Sequence, residues 1–432
     1  MKIAVLGYGA SGKAAEKLAE FFGFEVVIFD EGQKLGCYKA DGSADYAEID
    51  EIVVSPGVPP KSALYGAALA SGLPMVSEME FGFRYCDFPL LAVTGTNGKT
   101  TTTELTTHLL QKLGYAAQYC GNIGNPLSEL VWFKRQGTVE KLDVAVIEVS
   151  SFQLEKINNF APLAAVNLNV TDDHLDRYHG SMMEYSEVKF SIFDRIKDRN
   201  NMFLGTMMRQ TPELVPEKYK FLLQQTPAIQ AADGKVTCLG QPLLRLDETQ
   251  LRGAHNCENL LAALSLVGAY AGMDKLRSPE LIAAVKEFSP GEHRIQVVAQ
   301  HGGITYINDS KATNPASVLA ALEAVGGDHN TCILLGGLDK GMDFSSLAGA
   351  AKYIKKAVVL GQCRQKMYDT LKDAFPCQLC ETFADAVNGA CAAACPGDVV
   401  ILSPSCASMD MFKNYKERGE TFTRLVNEFI KE

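Results

Sequence analysis

A chain of 432 residues is longer than one hydrophobic core usually serves, and its 47% apolar and 21% charged content is that of an ordinary globular protein, which excludes a disordered or low-complexity class. A formal net charge of −10 and a pI near 5.4 argue against non-specific binding to nucleic acid or to an anionic membrane, so a phosphorylated ligand must be held by local groups. No apolar run reaches the roughly 18 residues of a spanning helix, and the start lacks the basic and apolar regions of a signal peptide, so a cytoplasmic protein is expected. The twelve cysteines are then read as reduced thiols.

In chain order, short β-branched runs alternate with helical stretches from the start: strand Lys2–Leu6, helix 14–22, strand Glu25–Phe29 and strand 52–54. The stretch "VLGYGASGKA" fits two phosphate templates. Gly7-x-Gly9-x-x-Gly12 after a strand, with Asp30 ending the next one, is a dinucleotide fingerprint; Gly7 to Gly12-Lys13 is nearly a triphosphate loop, but Ala14 stands where a magnesium-binding hydroxyl is required. "VSPGVPP", with Ser55, Pro56 and Gly57, turns the backbone at the carboxyl end of another strand, where open parallel sheets place ligands. Both loops are therefore expected to line one crevice.

A fresh start near residue 88 brings a buried strand at 90–93, the loop "TGTNGKTTT" and a helix at 101–113. Gly95, Thr96, Asn97 and Gly98 lead into Lys99, Thr100 and Thr101, which aims backbone N–H groups and a helix N-terminus at phosphates; Lys99 can neutralise the terminal phosphates and Thr100 can ligate magnesium. Strands at 144–149 and 164–170 end in acids: Glu148, then Asp172, Asp173, His174 and Asp176 in "NVTDDHLDRY". Glu148 is either an exposed strand end or a buried carboxylate needing a cation. "HNCENLLAAL" sets Asn256 and Asn259 on one face of a helix, which suits capping or nucleoside contacts.

A third start near residue 289 is followed by strands at 304–307, 332–335, 357–360 and 399–402. Two hydroxyl-rich loops follow strands there, "INDSKATNP" with Asp309, Lys311 and Thr313, and "SPSCASMD" with Ser408; together they predict an anion site. Cys377, Cys380, Cys391 and Cys395 have spacings that zinc could use, but the alanine-rich pattern around Cys391 favours buried apolar cysteines. The expected architecture is α/β with domains at 1–87, 88–288 and 289–432.

"GTNGKTT", "HNxxN", "SSFQLE" and "NDSKATN" together resemble the Mur ligases, over nearly the whole chain, and in particular the members that add D-glutamate. The resemblance implies an N-terminal Rossmann-like domain, a central P-loop ATPase-type mononucleotide-binding domain and a C-terminal Rossmann-like domain. It implies a monomeric, ATP-dependent ligase that activates UDP-N-acetylmuramoyl-L-alanine (UDP-MurNAc-L-Ala) as an acyl phosphate and attacks it with D-glutamate during peptidoglycan precursor synthesis. The UDP-sugar would lie on Gly7, Gly9, Ser11, Gly12, Asp30, Ser55, Pro56, Gly57, Asn122, Ser150, Gln153 and His174.

ATP would meet residues 95–101, Asn256, Asn259, Arg294 and Asp309. Two magnesium ions would use Thr100, Glu148, His174 and a carbamylated Lys189, and Lys99 would be catalytic with Glu148, His174 and Lys189. D-glutamate would be held by Lys311, Thr313, Lys340, Ser408 and Tyr415, the last where the family more often has Phe. Glu31 and Gly32 depart from the Thr-Arg that commonly follows the residue at Asp30. An NAD-dependent oxidoreductase and a non-catalytic nucleotide-switched binding protein are the competing readings. The second phosphate loop weighs against the first, and the set Lys99, Glu148, His174 and Lys189 against the second.

Overall fold

The structure is a computed structural model that describes residues 1–36, 44–251, 253–289, 291–339 and 341–431. The chain divides into two compact units, one of Met1–Val170, Ser181–Thr249 and Glu258–Phe288, the other of Thr171–Gly180, Gln250–Cys257 and Ser289–Glu432. The restart near residue 88 falls inside the first unit, where it marks the passage from one sheet to the next.

In the first unit, β1 (Lys2–Leu6), β2 (Glu25–Phe29), β3 (Glu51–Val54) and β4 (Met75–Ser77) form a parallel sheet in the order β2-β1-β3-β4. The strand order reverses between β1 and β3, so their carboxyl ends open a crevice. The next sheet is also parallel: β5 (Leu90–Thr94), β6 (Ala117–Gly121), β7 (Val144–Glu148), β8 (Ala164–Asn167) and β9 (Met202–Leu204), in the order β6-β7-β5-β8-β9. Strands β5, β7 and β8 are buried along their whole length, as continuous apolar runs in two-faced parallel sheets must be. A small antiparallel sheet of β10 (Ile229–Ala232), β11 (Lys235–Cys238) and β12 (Gln241–Arg245) completes this unit.

The second unit is built on β13 (Gln296–His301), β14 (Ile304–Asn308), β15 (Thr331–Gly336), β16 (Ile354–Leu360), β17 (Cys377–Leu379) and β18 (Val399–Ser405), in the order β13-β14-β18-β15-β16-β17. Only β13 pairs antiparallel. One face packs Val318, Leu322, Leu347 and Met367; the other packs Phe383, Val387, Phe422 and Val426. Cys380 and Cys391 lie in the second of these apolar clusters, while Cys395 is exposed.

Two helices begin earlier than their sequence pattern predicts. The first spans Ala10–Phe21, so Ser11 and Gly12 already belong to it; the loop helix spans Lys99–Lys112, because Gly98 takes a left-handed conformation (φ 86°) and Lys99 starts the helix at once. The lysine and Thr100 thus stand in the first turn, where free N–H groups concentrate.

Candidate functional site

The loops after β1 and β3 line an open cleft of about 470 Å³ that includes Gly7, Gly9, Ser11, Asp30, Ser55, Pro56 and Gly57. Gly7 has φ 83°, and a Cβ on Gly12 would fall on the Gly7 carbonyl oxygen, so both glycines are structural necessities. Gly9 differs: a Cβ there would meet nothing within 4 Å, which leaves open space on the cleft side. Ser55 Oγ donates to the Gly7 carbonyl at 2.8 Å and ties the two loops together. Asp30 accepts from the N–H groups of Tyr8 (2.7 Å) and Gln33 (2.8 Å), which hold its carboxyl below its ordinary value. Its carboxylate shapes the loop. Glu31 accepts from Leu64 N–H at 2.8 Å, so it anchors the loop to the helix Ala63–Ala70.

The second loop follows β5. Thr96 N–H donates to Asn169 O (2.8 Å) and Asn97 N–H to Asn169 Oδ1 (2.8 Å), pinning the turn to the end of β8. Lys99 Nζ donates to the carbonyls of Gly95 and Thr96 at 2.8 Å each, curled over the loop that it would serve. Asn259 packs directly on Gly98 and accepts from Thr102 Oγ1 at 3.2 Å, so it buttresses this loop.

Glu148 closes β7 beside this loop, since Val93 is its register partner and Val149 N–H donates to Val93 O. It is 1% exposed, which settles the open alternative in favour of a buried carboxylate. Asn122 Nδ2 donates to Oε1 at 2.7 Å; Oε2 is buried with no hydrogen-bond partner among the described residues. A buried carboxylate oxygen in that state is unfavourable unless a cation completes it. An anionic oxygen, and the Thr100 hydroxyl in the first turn of the loop helix, are donor types that a hard divalent cation takes, so these residues fit magnesium.

Lys189 is 1% exposed at the end of the helix Met182–Phe190. Its Nζ donates to Gly95 O at 2.8 Å and lies 4.6 Å from the centre of the Tyr185 ring. Lys99, Glu148, Lys189 and Asn122 are thereby gathered around one strand end. Ser150 and Gln153 cap the helix Ser151–Leu154 reciprocally, each satisfying the other's backbone.

His174, Asn256, Arg294, Asp309, Lys311, Thr313, Ser408 and Tyr415 belong to the second unit; Lys340 lies outside the described residues. His174 adopts φ 57°, with Nε2 3.6 Å from Asp173 Oδ1. Asp309 accepts from Ser403 Oγ (2.7 Å) and Ile295 N–H (3.2 Å), and burial pushes its carboxyl up to about 7. Lys311 Nζ stands 3.9 Å from the centre of the Tyr415 ring. Burial lowers the His255 imidazole to about 4, with the Arg294 cation contributing, so it is neutral at pH 7.

Sequence reasoning missed several residues that build these loops. Arg418, 1% exposed, donates to Ser310 O (2.8 Å), Ser310 Oγ (3.0 Å) and Cys406 O (3.0 Å), joining the two hydroxyl-rich loops through one guanidinium. Glu80, fully buried, accepts from the N–H groups of Asn158, Asn159 and Phe160 and so holds the segment after "SSFQLE". Nothing in their local pattern distinguishes either from a surface helix charge.

The Mur ligase middle domain family matches residues 93–267, and the Mur ligase, glutamate ligase domain family matches residues 293–406. The UDP-N-acetylmuramoylalanine–D-glutamate ligase of Aquifex aeolicus is 34% identical, covering 99% of this chain and 98% of its own. That of Desulfitobacterium hafniense strain DSM 10664 is 36% identical, covering 100% and 98%. Among solved structures, the UDP-N-acetylmuramate-alanine ligase of Thermotoga maritima shares the fold at TM-score 0.58 with 19% identity, covering 99% of both chains. A folylpolyglutamate synthase of Mycobacterium tuberculosis, complexed with ADP and AMPPCP, does so at TM-score 0.58 with 16% identity, covering 79% of this chain and 92% of its own. With relatives at this identity along its whole length, two strand-to-helix glycine loops and a buried acid beside the second, the chain belongs to the UDP-N-acetylmuramoylalanine–D-glutamate ligase family of the Mur ligases.

Proposed function

We propose that the chain joins D-glutamate to UDP-MurNAc-L-Ala at the expense of ATP, through an acyl phosphate. One observation supports this above the others: a single unit carries two glycine loops of different build, of which, among the described residues, only the second stands beside a buried, incompletely partnered carboxylate. Two loops allow two phosphorylated substrates to be held at once, one as a passive diphosphate and one as the phosphoryl donor. This assigns UDP to Gly7–Gly12 and ATP to Gly95–Thr101, within domains at 1–87, 88–288 and 289–432.

A carboxylate and an ammonium do not condense in water because carboxylate oxygen is a poor leaving group. The L-alanyl carboxylate oxygen attacks the γ-phosphorus of ATP, the bond to ADP breaks and ADP leaves, so that oxygen becomes part of a phosphate leaving group. The amine of D-glutamate then attacks the carbonyl, the tetrahedral intermediate collapses and phosphate departs. Lys99 holds the terminal phosphates, and the N–H groups of the loop and first helical turn receive their oxygens. Thr100, Glu148 and the carbamate of Lys189 would hold magnesium, which supplies charge neutralisation between mutually repelling anions. The buried Lys189 ammonium lies beside Gly95 O, so conversion to a carbamate would supply an anionic ligand there.

In the second unit, Lys311, Thr313 and Ser408 would take the carboxylates of D-glutamate, with Tyr415 backing Lys311. Each chain contains the groups assigned, which supports a monomer, and the use of ATP supports a cytoplasmic reaction. Among the described residues, no helix is long and apolar enough to cross a membrane.

The test is an amino-acid screen with UDP-MurNAc-L-Ala, ATP and magnesium, read as phosphate release. D-glutamate alone should support turnover. Release with another amino acid and none with D-glutamate would reassign the chain to a sister ligase.

A further inference from the structure

Cys363 follows β16 and heads the helix Arg364–Leu371, its N–H donating to Gly337 O at 3.0 Å. Cys406 follows β18, 43 residues away in sequence, yet the two sulfurs are 3.3 Å apart. Met367 Sδ lies 3.7 Å from Cys363 Sγ. Both cysteines are buried, at 2% and 0% exposure. The Cys406 carbonyl accepts from Arg418, which also holds Ser310, and the next residue, Ala407, accepts from Leu338 N–H at 2.9 Å. Ser408 comes two residues later. The sulfur pair thus sits at the junction of three loops, those after β15, β16 and β18, and two residues from a group assigned to D-glutamate.

We propose that Cys363 and Cys406 are an oxidisable dithiol, and that a peroxide converts them to a disulfide which displaces the Ser408 loop and weakens D-glutamate binding. The second half rests on the reading of Ser408 given under the proposed function. Closing the pair requires an S–S bond of about 2.05 Å, so the sulfurs must approach by roughly 1.2 Å. Cys406 is fastened by its carbonyl to Arg418 and by its neighbour to Leu338, so that approach is transmitted along the loop to Ser408 and through Arg418 to Ser310. Displacements of about 1 Å at positioning groups change rates by about a hundredfold.

The chemistry divides between the two sulfurs. The hydrogen bond between the two sulfurs holds the Cys363 thiol below its ordinary value and raises that of Cys406; the pair titrates as a unit. Cys363 thiolate attacks one peroxide oxygen, the O–O bond breaks, and hydroxide leaves to become water. The sulfur is now a sulfenic acid. Cys406 sulfur, giving up its proton, attacks Cys363 sulfur; the S–S bond forms, the S–O bond breaks and the departing hydroxide takes that proton as a second water. Two thiols and one hydrogen peroxide yield one disulfide and two waters. Burial of both reduced thiols favours a small oxidant such as hydrogen peroxide.

The full-length protein is treated with hydrogen peroxide, remaining thiols are alkylated, and non-reduced peptides are mapped while the KM for D-glutamate is measured. A cross-link between the peptides of Cys363 and Cys406 is expected, with KM raised about tenfold or more and restored by dithiothreitol. Cys363→Ala and Cys363→Ser should keep the untreated KM and lose its response to peroxide. Absence of the cross-link, a cross-link with unchanged KM, or equal loss in the Cys363 variants overturns the proposal. If untreated protein releases no phosphate with D-glutamate, the functional reading fails instead, and peptide mapping still decides the dithiol.

Discussion

Replacing Glu148 with Gln should separate stability from function in opposite directions. The wild-type carboxylate is almost wholly buried, with one oxygen satisfied by Asn122 and the other by nothing among the described residues. Gln keeps the shape and the Asn122 contact but removes the uncompensated charge. Leaving a buried polar group unsatisfied costs about 1–3 kcal/mol, more when it is charged, so the variant should be more stable than wild type by about 1–2 kcal/mol when no magnesium is present. A ligand at a hundred times its Kd stabilises a protein by about 2.7 kcal/mol. Magnesium with ADP should therefore raise the wild-type melting temperature and leave the variant nearly unmoved, reversing their order. Phosphate release should fall by about two to three orders of magnitude, the usual effect of removing one electrostatic contact to a transition state. Thermal unfolding with and without magnesium and ADP reads both effects. A variant that is less stable without metal, or that keeps the magnesium response, would refute the reasoning that the orphaned oxygen awaits a cation.

Gly9→Val should abolish UDP-sugar binding by calorimetry while ATP binding and melting temperature stay near wild type, since a Cβ there would meet nothing within 4 Å; loss of ATP binding instead would mean that the loops are assigned the wrong way round. Lys189→Ala should be nearly inactive and partly rescued by acetate, which supplies the missing anionic oxygen; rescue by small amines, with acetate inert, would sink the carbamate. Glu78 is fully buried, and burial raises its carboxyl from 4.5 to about 7. Below pH 4.5 both folded and unfolded states hold the proton; between 4.5 and 7 only the folded state does, so its stabilising contribution falls as pH rises and is gone above 7. Glu78→Gln should therefore gain on wild type by at most about 3 kcal/mol between pH 4.5 and 7.5, measured by chemical denaturation. A pH-independent difference would show that Glu78 ionises freely.

Both glycine loops were legible in the sequence because their glycines answer local backbone demands. Gly7 and Gly98 occupy positive φ, and Gly12 lies against a carbonyl five residues away. Such constraints act within a few residues and leave a spacing that can be read directly. Glu148 was half legible: its place at a strand end was plain, but its burial depended on neighbouring strands. Lys189 lay beyond local reasoning, since a lysine on a short helix is usually exposed; here Gly95, 94 residues earlier, supplies the partner that makes burial tolerable. Arg418 meets Ser310 across 108 residues, Glu80 meets Asn159 across 79, and Cys363 meets Cys406 across 43. By itself, then, the sequence determined the alternation of strands and helices, the two glycine loops and the chemical types at their ends. Only the tertiary structure decided which charges are buried and which sulfurs touch, because a charge or thiol leaves the solvent only when packing brings a partner from a distant segment, and no local pattern encodes that meeting.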